Sequence, residues 1–175
     1  KTGVLLAYLA FNSNRSHPRE ELIEMLWPEC DPVLGRNSLS QALSSLRHQL
    51  EPPGTSTGEV LQADRYTVQL AADAIQTDVA LFETACAEFA SAETEADRSV
   101  AFSSLDRLYR GEFMPGYYED WNLRERDRLQ GMIFDALVAR IDQLQSQGDL
   151  ASSIHCARRA VETLLAMAPE TVRGS

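Results

Sequence analysis

The stretch "RNSLSQALSSLRHQL", residues 36–50, decides how the rest of the chain is read. The chain carries 26 Asp and Glu against 16 Lys and Arg, a formal net charge of −10, yet this stretch contains no carboxylate. It holds two arginines, a histidine, four serines, an asparagine and two glutamines. Leu39, Leu43, Leu46 and Leu50 recur at i, i+4, i+7 and i+11, which predicts an amphipathic helix with one apolar stripe. With that stripe inward, the outer face presents Asn37, Ser40, Gln41, Ser44, Arg47 and His48. At this chain's acidic content roughly two carboxylates would be expected in such a stretch. A plain solvated helix would carry the same stripe, so the neighbouring elements must separate the two readings.

Working outward, "HPREELIEMLW" predicts a helix with Pro18 as first helical residue and Glu20 and Glu21 in its first turn. Leu22, Ile23, Leu26 and Trp27 supply its apolar face, and Pro28 stops it. "PECDPVLG", 28–35, reads as a loop. Residues 4–11 read as a short buried helix, broken by "NSNRS". Beyond the opening stretch, "EPPGTSTG" reads as a flexible loop. "EVLQ" and "RYTVQL" then alternate as strands do, with "AD" as a tight connection. Three short helices and then a hairpin is the order of a winged helix, whose third helix lies in the DNA major groove while its hairpin touches phosphate. Small serines let a backbone approach the groove, and Asn and Gln pair bidentately with adenine edges. Arg36, Arg47 and Arg65 are placed to neutralise phosphates, and a carboxylate on that face would repel them.

The second half is predicted helical over 78–91, 97–110, 121–147 and 150–166, with Asp78 and Asp149 as N-caps and "GEFMPGYY" as a break. Six Lys and Arg face eight Asp and Glu through residue 70, against ten and eighteen beyond it. The acidity therefore sits mostly in the second half. The composition shift at 71–77 divides the chain into an expected winged-helix domain, 1–72, and a helical domain, 73–175. "GDLASSIHCARRAVE" looks like the second helix of a tetratricopeptide repeat, with Ala151, Ile154 and Ala157 at packing positions and Pro169 as terminator. The expected fold is mainly α: a partial winged helix-turn-helix with a small β-hairpin wing, then a tetratricopeptide-like helical bundle.

Taken together, "REELIEMLWPECDPVLGRNSLSQALSSLRHQL" resembles the winged-helix region of the SARP-type bacterial transcriptional activators. "DVALFE", "YRGEFMPG", "DW…ERDRL" and "GD…A…ARR" resemble the bacterial transcriptional activator domain, in the expected order. The resemblance runs nearly end to end. It implies a cytoplasmic regulator whose winged helix binds repeated promoter sites in double-stranded DNA. It also implies that the helical domain assists dimerisation and contact with RNA polymerase or a sigma factor. Carried over, 36–50 is the recognition helix, 59–70 the wing, and 28–35 the segment where related winged helices meet polymerase. The implied DNA-binding residues are Arg36, Asn37, Ser40, Gln41, Ser44, Arg47, His48 and Arg65. Two departures stand out: the strands that precede the first helix in the family are absent, and Ser40 and Ser45 stand where many relatives carry arginine. The chain opens on Lys1 inside an apolar run, which reads as a fragment.

Other classes find little support. There is no glycine-rich phosphate loop and no G-x-S-x-G elbow, so neither an enzyme nor a cofactor is expected. His17, His48 and His155 make no i, i+4 metal pair. Cys30, Cys86 and Cys156 fit no disulfide or zinc spacing and read as reduced cytosolic thiols. Adjacent His155 and Cys156 point in different directions on a helix. "YYEDW" reads as a cap and apolar anchor for the long helix, with Tyr117, Tyr118 and Trp121 fastening the domain. "RERDR", 124–128, reads as a solvated salt-bridged face. No apolar run is long enough to span a membrane. The rival reading is a protein-interaction adaptor within a larger signalling protein, its winged helix no longer binding DNA.

Overall fold

The computed structural model describes residues 1–167. Among them it is mainly helical, with a small three-stranded antiparallel sheet. The chain divides into two compact units, Lys1–Thr77 and Asp78–Ser175.

In the first unit, α1 (Thr2–Phe11) buries Val4, Leu5 and Leu9 and stops at Asn12, whose side-chain amide donates to the Tyr8 carbonyl at 2.9 Å. The chain then forms a two-residue strand, β1 (His17–Pro18), before α2 (Arg19–Leu26). Pro18 is therefore not the first helical residue: its ψ of 136° is extended, because it pairs with a strand from the far end of the unit. Leu22 and Leu26 are buried, while Trp27 follows the helix and is only half-buried.

The third helix, α3, runs Pro32–Leu50 and starts four residues before the expected position. Asp31 is its N-cap, accepting from the Val33 N–H at 2.8 Å, and Pro32 occupies the first turn, where its missing N–H costs nothing. The predicted loop 28–35 thus ends at Asp31. Leu39, Leu43 and Leu46 are buried as expected, joined by Ala42 and Gly35, while Leu50 is half-buried. Both α1 and α2 pack on α3. Strands β2 (Leu61–Ala63) and β3 (Thr67–Leu70) form the hairpin, pairing Leu61 with Leu70 and Ala63 with Val68. The turn centres on Asp64, whose Oδ1 accepts from the Tyr66 and Thr67 N–H groups at 2.7 Å each, so the connection lies later than the "AD" pair. Strand β1 adds to the other edge of β3, pairing His17 with Val68, which the sequence reading missed.

In the second unit, α4 (Asp78–Ser91) packs on α5 (Glu95–Leu108), and α6 (Asp120–Ser146) packs on α7 (Leu150–Met167). Short connections at 92–94 and 147–149 make each pair a helical hairpin. Asp149 caps α7 through the Ser152 N–H at 3.1 Å, whereas Asp78 is the first residue of α4, accepting from Val79. One core joins all four helices around Phe82, Phe89, Leu105, Leu129, Ile133 and Leu137. The buried stripe of α7 is Ser153, Cys156, Ala160 and Thr163; Ala151 and Ile154, expected there, are exposed, and Ala157 is half-buried. Pro169 lies outside the described residues.

Of the three aromatics expected to anchor the long helix, only Trp121 does so: it is half-buried and packs edge-on against Phe113, ring centres 6.3 Å apart, and polar groups supply the rest of the anchor. Tyr117 and Tyr118 are exposed, at 41% and 71%. Instead the buried Asn122 donates to the Tyr117 carbonyl at 2.7 Å, and the buried Arg126 donates to the Met114 and Tyr117 carbonyls at 3.1 and 3.0 Å and pairs with Glu112. Only part of "RERDR" is a solvated face. Arg128 bridges Glu125 and, on α4, Glu83. Further along α6, Arg140 reaches Glu95 on α5 and holds that carboxyl below its ordinary pKa.

His17 is a buried titratable group in the first unit. Its ring is buried, 5.1 Å from the Tyr8 ring, with Nε2 at 3.2 Å from the Asn12 carbonyl. Burial lowers its pKa, and the Asn12 carbonyl opposes this only in part. The folded unit therefore takes up a proton less readily than the unfolded chain. The stability it contributes is complete above pH ~6.5 and is lost as pH falls below that. With Trp121→Phe leaving Trp27 as the sole tryptophan reporter, the unit's melting temperature should fall as pH drops below ~6.5. His17→Gln should flatten that decline, and an equally steep decline in the variant would show that another group governs it.

Candidate nucleic-acid interface

The face opposite the leucine stripe of α3 is open. Arg36, Asn37, Ser40, Gln41, Ser44 and His48 are all exposed. Asn37, Gln41, Ser44 and His48 share one face because they are spaced by three, four and seven positions. Their hydroxyl, amide and imidazole groups offer both donors and acceptors, without a fixed negative charge.

The structure brings only some of the predicted residues together. Ser40, Ser44, Arg47 and His48 line a polar groove of about 490 Å³, with Arg19, Leu43, Glu51 and Ala63. Arg36, Asn37 and Gln41 lie on the helix outside that groove. Arg65 is exposed at the wing turn, its guanidinium 4.9 Å from the centre of the Tyr66 ring. Arg47 is half-buried rather than free: it donates to the Leu61 carbonyl at 3.2 Å and lies 3.4 Å from the Glu51 carboxylate.

Three residues that the sequence reading passed over shape this face. Glu51, the first carboxylate after the clean stretch, borders the groove but is buried and bound by the wing. Its side chain is 2% exposed, and Oε1 accepts from the Gly58, Val60 and Leu61 N–H groups at 3.0, 3.0 and 2.9 Å. Burial alone would raise its pKa, but those donors and Arg47 outweigh it and hold the carboxyl below its ordinary value. Arg19, the first residue of α2, donates to the Asp64 carbonyl at 3.1 Å and the Ser40 hydroxyl at 3.3 Å, joining wing to helix. Gly35 lies where α2 crosses α3, and a Cβ there would stand 2.6 Å from Ile23 Cγ2. Asp-Pro was a readable start signal for α3, and it would have placed Gly35 inside the helix. Nothing in the local pattern marks Glu51 or Arg19, whose partners are distant in sequence.

Among the described residues no group of three His, Cys, Asp or Glu is placed to hold a metal ion. Cys156 is buried beside exposed His155, and burial raises its thiol pKa, the reverse of what an activated nucleophile needs. No helix among them is long and apolar enough to cross a membrane. No protein-family model and no curated protein matches the chain.

Two substitutions test how the face is held. Gly35→Ala should push α2 off α3 and cost roughly 1–3 kcal/mol; unchanged denaturant midpoints would show that Ile23 moves aside freely. Glu51→Ala leaves three wing N–H groups without their acceptor and should cost roughly 1–3 kcal/mol. Amide exchange at Val60 and Leu61 should accelerate with it, and unaltered exchange there would mean that the wing does not depend on this carboxylate.

Proposed function

We propose that the first unit is a winged-helix DNA-binding domain and that the chain is a transcription regulator of the SARP activator type. In this reading α3 enters the major groove of a repeated promoter site. Asn37 and Gln41 read base edges from the helix, while Ser44 and His48 follow the groove. The second unit, with ten Lys and Arg against eighteen Asp and Glu beyond residue 70, serves dimerisation or contact with RNA polymerase or a sigma factor in the cytoplasm. The observation that carries the reading is the outer face of α3: it is exposed along its length, and the nearest following carboxylate, Glu51, is sequestered by the wing.

A second reading has one observation in its favour. On α7, Ile154, Val161 and Leu165 are exposed at 54%, 55% and 59%. An apolar helix face of this kind suits an adaptor that binds protein rather than DNA.

Selection from random duplexes at ~0.1 M salt separates the two. The chain should enrich a defined site, and Gln41→Ala should cost roughly 1–3 kcal/mol on that site with little effect on random DNA. Ser44→Glu should abolish binding without changing the melting temperature, because Ser44 is exposed and off the leucine stripe. Parent-like binding by Ser44→Glu would assign the face to another partner.

A further inference from the structure

Three elements of the first unit meet at one seam: the first turn of α2, the outer face of α3 and the wing. The groove there is lined by Arg19, Ser40, Ser44, Arg47 and His48, with Glu51 beneath them. Its charges are unequal in their commitments. Arg47 and Glu51 compensate each other, and the Glu51 carboxylate is already occupied by wing N–H groups. Arg19 is different. Its bonding partners are neutral, a carbonyl and a hydroxyl, and among the described residues it forms no ion pair. The nearby Asp64 carboxylate accepts from Tyr66 and Thr67, and these donors together with the charge of Arg19 hold it below its ordinary pKa, so Arg19 is balanced only in part and without direct contact. Two of the five guanidinium N–H groups of Arg19 serve the seam, and the others remain for a ligand. The result is a fixed cation beside two hydroxyls and an imidazole, in a pocket open to solvent.

We propose that this seam is a binding site for one phosphate group. Arg19 is its anchoring charge, and Ser40, Ser44 and His48 supply donors to the remaining oxygens. Charge-assisted bonds from a guanidinium to phosphate are the strong kind, and Arg19 is held in place before the anion arrives. The phosphate is a backbone phosphate of the duplex that α3 reads, so in its source the proposal rests on the DNA-binding reading. Free phosphate has the same chemistry, and the experiment distinguishes the two. Arg19 acts here as a phosphate contact and carries no base specificity.

The test uses the full chain and two probes. In the first, the selected duplex carries one neutral methylphosphonate linkage, moved along each strand in turn. One linkage should lower the parent's affinity about tenfold. Arg19→Gln should lose a similar factor on the unmodified duplex and then be indifferent to that linkage. Equal sensitivity of parent and variant at every linkage overturns the proposal. If Arg19→Gln unfolds the unit, Arg19→Lys carries the test: it keeps the charge without the fork, so the same linkage should matter less than in the parent, and an undiminished loss overturns the assignment. The second probe is inorganic phosphate, followed through the Ser40 and Ser44 backbone amides by NMR. If the chain selects no duplex while phosphate shifts these amides in the parent and not in Arg19→Gln, the site stands with free phosphate as its ligand and the DNA reading falls. No response to either probe overturns the site itself.

Discussion

The Glu51 carboxylate joins the helical part of the first unit to its sheet. It is the residue after α3, and a single oxygen takes three consecutive-region N–H groups from Gly58, Val60 and Leu61. Those donors precede or begin β2, where the ladder to β3 has not yet taken them up. A buried carboxylate is costly without such partners. With them it fixes the approach of the hairpin to the end of α3. Arg47, one turn earlier, pairs with Glu51 and also holds the Leu61 carbonyl. The outer face of α3 and the position of the wing therefore have a common origin, and a change at this junction alters both.

The opposite end of α3 is set by shape instead of charge. Glycine inside a helix costs roughly 0.5–1 kcal/mol relative to alanine, so Gly35 needs a reason. Ile23 supplies it, since any Cβ at residue 35 would meet its methyl group. The close approach lets Leu22 and Leu26 bury against the stripe of α3. Asp31 and Pro32 then start the helix early enough for Gly35 to lie at the crossing.

Much of the architecture was legible because it depends on local pattern. The leucine stripe, the helix-stopping proline after Trp27 and the alternation in "RYTVQL" each follow from short-range periodicity. What was missed depends on partners far along the chain. Strand β1 is two residues long and includes a proline, so no pattern announces it; it exists because β3 offers an open edge. The tetratricopeptide-like pattern puts Ala151, Ile154 and Ala157 at the packing positions of α7, yet Ser153, Cys156 and Ala160 pack there. Small side chains let α6 come close, and the larger ones are left outside. On the candidate interface, residue types gave the exposed face of α3 correctly, but not the commitment of Arg47 to the wing nor the place of Arg19.

The clasp at the start of α6 has a kinetic consequence. Asn122 and Arg126 hold carbonyls at Phe113, Met114 and Tyr117, all within thirteen positions of them in sequence. Such contacts close small loops and lose little chain entropy. The second unit begins from similarly local pieces, two helical hairpins with short connections, which then join through distant contacts such as Arg159 to the Tyr109 carbonyl. The first unit has its own distant step: β1 cannot pair until His17 meets Val68, about fifty residues away. Local contacts favour fast folding and distant ones slow it. Within each unit the helical hairpins and the β2–β3 hairpin have the topology to form early, leaving the closure of β1 on β3 and the docking of the two helical hairpins as later events.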